Sequence, residues 1–333
     1  MPDREAALPL PAVCGVAKPW LLADIGGTNA RFAYQAGDGA PLRDIVALPT
    51  ADHATIGDAM KHYLAQTGHE TPPWCAFGIA NPITGDHIQM TNSPWSFSIS
   101  ALQRELGFER LRVINDFTAL ALALPTLAPQ ERRQVGGGAA EPHGPIGLIG
   151  PGTGLGVSGL VPTTTLGLWV PLQGEGGHVT LAATNDREYA VLSNIRERFG
   201  HASAERAVSG MGLEAIHAAL STLDGAGPVA PLAAADITAR ALAGQDARCA
   251  EAIELFCGFL GNVAGNLALT LGAVGGVYIG GGIVPRLGEA FDRSCFRERF
   301  EAKGRFRAYL SKVPVFVIHA NVSPALVGAS RAL

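Results

Sequence analysis

An aspartate followed by a glycine-rich turn is the first feature of this chain that could do chemistry. Residues 24–31 read DIGGTNAR. Gly26 and Gly27 carry no side chains, so backbone N–H groups there can face a phosphate. Asp24 supplies the oxygen ligand that Mg²⁺ prefers, directly or through water. The residues predict a phosphate-binding hairpin, with an ordinary hairpin turn as the alternative, and they lack the Gly-Lys-Ser/Thr of a Walker loop.

A second glycine-rich turn has the same character. Residues 150–156 read GPGTGLG, and glycines 154, 156 and 159 match the dinucleotide pattern GxGxxG. That pattern opens a helix, whereas the apolar run here ends at Pro162 and is typical of a strand. We therefore expect two hairpins that hold the β- and γ-phosphates of a nucleotide from both sides. A third turn, residues 280–286 (GGGIVPR), either lets a base or ribose lie close to backbone or is only a tight strand-to-helix turn.

Carboxylates and one imidazole form a separate set. Asp116, in VINDF, either caps the helix that follows or accepts the proton of a hydroxyl as a general base, for which an ordinary pKa of about 4 suffices. Glu175, in GEGGH, can accept hydrogen bonds from two neighbouring sugar hydroxyls. For His178 in the same loop, taken alone, a structural hydrogen bond is the favoured explanation.

The elements that position these residues alternate between strand and helix, which indicates the α/β class. Residues 20–34 and 146–160 each contain an apolar run, a Gly/Thr turn and a second apolar run, so we expect two related halves. Further strands are predicted at 75–80, 111–114, 276–279 and 315–319. Helices are predicted at 55–66, 100–106 with Ser100 as N-cap, 117–124, 186–199, 213–220, 236–242, 247–271 and from Pro285.

The composition narrows the class of protein. Of the 333 residues, 47% are hydrophobic and 16% are charged, with a net charge of −4. The charges are interspersed, which argues against nucleic acid or a membrane surface as a partner. Five widely spaced cysteines and an N-terminus without a secretion signal predict a cytoplasmic protein.

Taken in order, the motifs resemble one known family. DIGGTNAR, ANPITGD, MTNSPWSFSI, INDFTA, GPGTGLG, GEGGHV, SAERAVSG, GNLALTLG and GGGIVPR are together similar to the bacterial glucokinases, within the actin/hexokinase/Hsp70 superfamily. The resemblance runs from about Trp20 to near the C-terminus. It implies a duplicated actin-like ATPase (ribonuclease H-like) α/β fold with two domains around a central cleft. After a leader (1–18), the small domain would comprise 19–126 plus about 319–333, and the large domain 127–318.

The resemblance also implies roles for particular residues. The chain would be an ATP-dependent glucokinase, giving glucose 6-phosphate at the start of glycolysis, with Mg²⁺ at Asp24 and Asp116 as the catalytic base. The remaining expected contacts fall into two groups, for ATP and for the sugar. ATP would bind at Ala23, Asp24, Ile25, Gly26, Gly27, Thr28, Thr153, Gly154, Gly281 and Gly282, and glucose at Asn92, Asn115, Asp116, Glu175, His178 and Glu205.

Alternatives stay open at this point. The chain could be a kinase for another hexose, a sugar-sensing regulator on the same fold, or a scaffold without catalysis. A regulator would need a DNA-binding module, for which residues 1–19 are too short and not basic. His178 is followed by VTLAA rather than by the cysteine-rich zinc motif of repressor/kinase-type sugar kinases, so we expect no structural zinc. The resemblance further implies a homodimer.

Overall fold

Two β-sheets organise the chain. The computed structural model describes residues 18–91, 93–165, 167–226, 230–320 and 323–333. In chain order the strands are β1 (Trp20–Ile25), β2 (Asn29–Gln35), β3 (Arg43–Pro49), β4 (Trp74–Ile79), β5 (His87–Gln89), β6 (Ser96–Ser98), β7 (Arg110–Asn115), β8 (Arg132–Gln134), β9 (Ile146–Pro151), β10 (Leu155–Pro162), β11 (Trp169–Gln173), β12 (Val277–Ile279) and β13 (Val315–Ile318).

Helices cover both sheets. In chain order they are α1 (Ile56–Thr67), α2 (Ile99–Leu106), α3 (Asp116–Ala123), α4 (Asp186–Phe199), α5 (Gly210–Leu223), α6 (Ala234–Leu242), α7 (Ala247–Leu271), α8 (Ile283–Leu287), α9 (Glu289–Arg293), α10 (Phe296–Glu301), α11 (Arg307–Leu310) and α12 (Pro324–Ser330). The alternation of helix and strand confirms the predicted α/β class.

The two sheets repeat one topology. The first has the order β3-β2-β1-β4-β7, and the second has the order β11-β10-β9-β12-β13-β8. In each, three consecutive strands pair antiparallel and two later strands add in parallel. The second sheet differs by the extra antiparallel edge strand β8. This repetition confirms the internal similarity predicted between residues 20–34 and 146–160.

Helix α3 lies between the sheets. Gly78 of β4 lets it approach the first sheet, because a methyl group on Gly78 would lie 3.0 Å from Cβ of Ala119 and 3.3 Å from Cα of Asp116. On its other side, Ala121 and Leu124 join an apolar cluster with strands of the second sheet. A helix held between two sheets places its N-terminus where the sheets meet.

The last helix, α12, returns to the first sheet. Leu326 and Ala329 pack in a buried cluster with Trp20, Leu22 and Ala76. Residues 20–115 and α12 thus form one layered unit, and residues 132–318 supply the second sheet. The domain boundaries 19–126 and 127–318 stay predictions, and the predicted leader lies almost entirely outside the described residues.

Helix caps correct one expectation. Thr55 caps α1 by accepting a hydrogen bond from the N–H of Asp58. Ser98, not Ser100, caps α2, since its hydroxyl oxygen accepts from the N–H of Ala101. The prediction of Ser100 was wrong because Asp86 accepts the backbone N–H of Ser100, at 2.8 Å, and its hydroxyl.

Helix α7 is long and apolar enough to cross a membrane by length and composition. However, 72% of its most apolar stretch is buried inside the protein. It forms the centre of the largest apolar cluster, with Phe256, Phe259 and Leu260 fully buried. The observed burial agrees with the prediction of a buried helix at 247–271.

Candidate active site

A cleft of about 790 Å³ lies where the two sheets face each other. The carboxyl ends of β1, β4 and β7 open into it from the first sheet, and those of β9 and β12 open from the second. Ligand sites in α/β sheets form at such ends. Most of the residues predicted to bind ATP or sugar line this cleft, namely Asp24, Gly26, Gly27, Thr28, Asn115, Asp116, Thr153, Gly154, Glu175, Glu205 and Gly281.

The first glycine hairpin joins β1 to β2. Its turn is closed by a hydrogen bond from the N–H of Gly26 to the carbonyl oxygen of Asn29, at 2.9 Å. Thr50 fixes it from outside: its hydroxyl donates to the carbonyl oxygen of Gly27 at 2.7 Å, and its N–H donates to that of Thr28 at 3.0 Å. The turn is therefore held by its carbonyl groups, and a methyl group on Gly26 would meet only the carbonyl oxygen of Asn29, at 3.2 Å.

Asp24 precedes this turn and is held by two partners. The Ser323 hydroxyl donates to Oδ2 of Asp24 at 2.7 Å, and the Arg31 guanidinium lies 3.5 Å from the same oxygen. Among the described residues, no hydrogen bond goes to Oδ1. A carboxylate with one fixed oxygen and one open oxygen on a cleft fits a hard cation such as Mg²⁺.

Asp116 is the first residue of α3. The helix cap is its neighbour Asn115, whose Oδ1 accepts from the N–H groups of Phe117 at 2.9 Å and Thr118 at 3.2 Å. The Asn115 amide donates to Oδ1 of Asp116 at 3.0 Å, and the N–H of Phe117 donates to the same oxygen at 2.9 Å. The alternative in which Asp116 caps the helix is therefore wrong, because Asn115 occupies that position.

The acidity of Asp116 also differs from expectation. Burial raises the pKa of this carboxyl to about 6, and the nearby Asp24 carboxylate adds to the rise. Hydrogen bonds from the Phe117 N–H and the Asn115 amide act in the opposite direction and are too weak to cancel the burial. The expected value of about 4 is thus corrected upward. A carboxylate tuned toward neutral pH is a better proton acceptor.

The second glycine hairpin, between β9 and β10, is packed by side chains. Gly150 and Gly156 pair across the two strands, and the ring of Phe117 lies over both. A methyl group on Gly156 would lie 2.1 Å from ring carbons of Phe117, and one on Gly150 would lie 2.5 Å away. Both positions must be glycine because any larger side chain would overlap the Phe117 ring.

Glu205 contacts the same hairpin through its carboxylate. Its Oε2 accepts a hydrogen bond from the N–H of Leu155 at 2.8 Å, and a methyl group on Gly154 would lie 2.4 Å from that oxygen. The N–H of Glu205 donates to the carbonyl oxygen of Gly177 at 2.8 Å, which connects the GEGGH loop to the same place. Glu205 therefore contacts both loops, the hairpin through its carboxylate and the GEGGH loop through its main chain.

Five predicted residues lie elsewhere. Ala23 and Ile25 are fully buried in β1 and form the support behind the turn. His178 and Gly282 are exposed and do not line the cleft. Asn92 lies outside the described residues.

The structure adds cleft residues that the sequence did not single out. Asn81, Phe117 and Ser323 line the cleft. Asn81 stands in the quoted motif ANPITGD and Phe117 in INDFTA, so a closer reading of those motifs could have found both. Ser323 lies 299 positions from Asp24, and no local pattern predicts that contact.

One group of metal-type ligands occurs within the described ranges, away from the cleft. His217, Asp246 and Cys249 offer ligand atoms within 4.8 Å of one another. Asp246 already caps α7 through the N–H groups of Arg248 and Cys249. Burial lowers the pKa of His217, and the charges of Arg248 and Arg240 act in the same direction while Asp246 opposes them. The expected absence of structural zinc stays a prediction.

Two sheets of repeated topology around a cleft lined by glycine hairpins and carboxylates define an actin-like α/β protein of the kind built to bind a nucleotide. A family model described as Glucokinase matches residues 21–333, and the chain belongs to that family. A relative from Aromatoleum aromaticum (strain DSM 19018 / LMG 30748 / EbN1), named Glucokinase, is 55% identical over 325 residues and 97% of each chain is covered.

Solved structures of similar fold also belong to sugar kinases. A glucokinase from an Antarctic psychrotroph is 36% identical, with a TM-score of 0.85 over 95% of this chain and 98% of that one. A ROK family glucokinase from Streptomyces griseus, solved with glucose and AMPPNP, is 18% identical with a TM-score of 0.62, over 94% of this chain and 98% of that one. The second likeness concerns the fold alone. These comparisons confirm the predicted family, the actin-like fold and glucokinase activity.

Proposed function

We propose that this chain transfers the γ-phosphoryl group of ATP to the 6-hydroxyl of glucose, giving glucose 6-phosphate and ADP. The observation that carries the proposal is the position of Asp116. It is a partly buried carboxylate with a raised pKa, in a cleft that two glycine hairpins line. The Streptomyces griseus protein of the same fold was solved in complex with glucose and AMPPNP, which supports a sugar and a nucleotide as the two ligands of this chain.

Asp116 acts as the base. Phosphoryl transfer has a loose transition state, so the attacking hydroxyl needs orientation more than early deprotonation. Asp116 accepts the hydrogen bond of the 6-hydroxyl and holds its oxygen in line with the γ-phosphorus. The bond from O6 to phosphorus forms as the bond from phosphorus to the β-phosphate oxygen breaks, and the hydroxyl proton passes to the Asp116 carboxylate.

The other residues divide into sugar and nucleotide ligands. Glu175 and Glu205 line the cleft and accept hydrogen bonds from further sugar hydroxyls, with Asn115 beside them. Gly27, Thr28, Thr153 and Gly154 line the cleft and offer N–H and hydroxyl donors to the phosphates. Mg²⁺ bound through Asp24 would neutralise charge on the transferring phosphoryl oxygens.

Steady-state ADP release tests the reaction. ADP should form with glucose and ATP and remain at background without sugar. Mannose, fructose and N-acetylglucosamine should be poorer substrates by kcat/KM. A better rate with one of them would move the substrate to that hexose, and ADP release that does not depend on sugar would contradict a sugar kinase.

The two-domain division belongs to the same proposal. Domains at about 19–126 with 319–333, and 127–318, would close on glucose and exclude water that could accept the phosphoryl group. Small-angle scattering should then give a smaller radius of gyration with saturating glucose. An unchanged radius would count against closure.

The remaining expectations are proposals of the same kind. We propose a cytoplasmic homodimer at the entry to glycolysis, without zinc and without a nucleic-acid or membrane partner. The net charge of −4 and the free thiols of Cys75, Cys249, Cys257 and Cys295 support it. Light scattering measures the dimer, and full recovery of activity with Mg²⁺ after EDTA treatment tests the absence of zinc.

A further inference from the structure

Phe117 links the two sides of the cleft. It belongs to α3, directly after the proposed base, and its ring lies on the second glycine hairpin. Gly150 and Gly156 are cross-strand partners, so the ring covers a matched pair of positions without side chains. An aromatic ring over a glycine pair fits only while both positions stay glycine.

The backbone of Phe117 holds the base at the same time. Its N–H donates to Oδ1 of Asp116 at 2.9 Å and to Oδ1 of Asn115 at 2.9 Å. The residue therefore fixes the carboxylate with its main chain and the hairpin with its side chain. Phe117 is thus in contact both with the Asp116 carboxylate and with the hairpin that carries Thr153 and Gly154.

We infer that Phe117 is a positioning residue for phosphoryl transfer, which sets the distance between the base and the γ-phosphate. The inference rests on the proposed function of Asp116 and of the hairpin. A misplacement of about 1 Å in a reacting pair can cost about 10²-fold in rate. Loss of the ring should thus lower kcat much more than it weakens either substrate.

A purely structural ring would behave differently. Phe117 also contacts the apolar cluster that contains Leu148, Tyr278 and Phe316, so its removal lowers stability in any case. Phe316 on β13 is a matched control, because it lies in the same cluster and does not line the cleft. Both phenylalanines can be changed to leucine, which keeps an apolar side chain of smaller size.

The first experiment compares Phe117→Leu with Phe316→Leu. Phe117→Leu should lower kcat about 10-fold to 10²-fold, with the KM for glucose within about threefold of wild type. Phe316→Leu should lower the melting temperature and leave kcat unchanged. Equal kcat values for Phe117→Leu and wild type, at a temperature where both are folded, would overturn the inference.

The second experiment is a rescue that needs no turnover. Gly156→Ala places a methyl group against the ring and should displace the hairpin, so AMPPNP should bind about tenfold more weakly. Adding Phe117→Ala removes the ring and should restore most of that affinity. If the losses of AMPPNP affinity in the two single variants simply multiply in the double variant, the ring does not set the position of the hairpin.

The two experiments separate the inference from the proposed function. Wild-type protein that releases no ADP with glucose would refute the proposed function, whatever the AMPPNP titrations show. Wild-type turnover together with a normal kcat for Phe117→Leu would refute only the positioning role. Failure of the AMPPNP rescue would refute that role without any assay of turnover.

Discussion

The two glycine hairpins differ in what their glycines do. In the first hairpin, a methyl group on Gly26 would meet only the carbonyl oxygen of Asn29, at 3.2 Å. In the second, methyl groups on Gly150, Gly154 and Gly156 would meet Phe117 or Glu205 at 2.1 to 2.5 Å. Gly26 of the first hairpin has no side chain packed against it, whereas Phe117 and Glu205 pack closely against the glycines of the second.

The difference shows that one motif can have two physical causes. Glycines in a phosphate loop are usually explained by the close approach of a phosphate to the backbone. That explanation is sufficient for the first hairpin. In the second, the glycines also make room for the ring of Phe117 and the carboxylate of Glu205. The second hairpin is therefore the one whose position depends on Phe117 and Glu205.

The largest expected effect comes from Asp116, which lies between the hairpins. Asp116→Asn should lower kcat at least about 10²-fold, because the amide cannot take the hydroxyl proton. Glucose affinity should fall only modestly, since the amide keeps one acceptor. Because Asn115 caps α3, the melting temperature should not fall. A near-normal kcat would remove Asp116 from the chemistry.

The first hairpin is tested through its aspartate. Asp24→Ala should lower kcat by about 10-fold to 10²-fold at a fixed Mg²⁺ concentration, with little change in glucose affinity. Higher Mg²⁺ should recover part of the rate. Arg31→Ala is the matched control, because it removes a neighbour of Asp24 and leaves the carboxylate in place. Equal losses in the two variants would argue that Asp24 matters only through its ion pair.

The second hairpin is tested by two glutamates that both line the cleft. Glu175→Gln and Glu205→Gln each lose a charged acceptor, worth about 1.5–3 kcal/mol, so the KM for glucose should rise about 10-fold to 10²-fold. Only Glu205 bonds to the hairpin, through the N–H of Leu155. Glu205→Gln should also weaken AMPPNP binding several-fold, and Glu175→Gln should not. Equal AMPPNP affinities of Glu205→Gln and Glu175→Gln would contradict the proposed dependence of the second hairpin on Glu205.

The smallest expected effect is a shift in pH dependence. The base works when deprotonated, so kcat/KM for glucose, which follows the ionisation of the unliganded protein, should fall about tenfold per pH unit below a pKa of about 6. The Asp24 carboxylate raises the pKa of Asp116, so Asp24→Asn should move this acidic limb to lower pH. Glu175→Gln should leave it in place. An unmoved acidic limb in Asp24→Asn would mean that the charge of Asp24 does not affect the ionisation of Asp116.

The ionisation of Asp116 also affects the free energy of unfolding. A carboxyl whose pKa is raised by folding stabilises the native state when it is protonated. The contribution of Asp116 to the free energy of unfolding should therefore be largest below about pH 4 and be lost as pH rises through about 6. Asp116→Asn should remove that part of the pH dependence of the melting temperature.

Local patterns predicted much of the fold. Helices α4 and α7 begin and end at the predicted residues, because Asn185 and Asp246 cap them and Gly200 and Gly272 end them in left-handed conformations. Strands β3, β8 and β11 were not predicted, since they are short or partly exposed and have little apolar alternation. Edge strands form mainly because a neighbouring strand offers hydrogen bonds, which no local pattern records.

The site was predictable in its polar residues and less so in its geometry. Asp24, Asp116, Glu175 and Glu205 all line the cleft, as their residue types and motifs suggested. The raised pKa of Asp116 was not predictable, since it results from burial between two sheets that meet only in the folded protein. The contact of Ser323 with Asp24 likewise depends on the return of the last helix.

That return has a consequence for the order in which the protein is made. Gly328 of α12 fits against α3 so closely that a methyl group there would lie 1.6 Å from the carbonyl oxygen of Ala119. The first sheet ends at Asn115, yet the helix that covers one of its faces begins roughly 200 residues later. At a synthesis rate of about 5–20 residues per second, roughly 10 to 40 s pass between the two. During that time Leu22 and Ala76 have no cover from α12. We therefore expect one face of the nascent first sheet to stay exposed, and to be available to a chaperone, until α12 has left the ribosome.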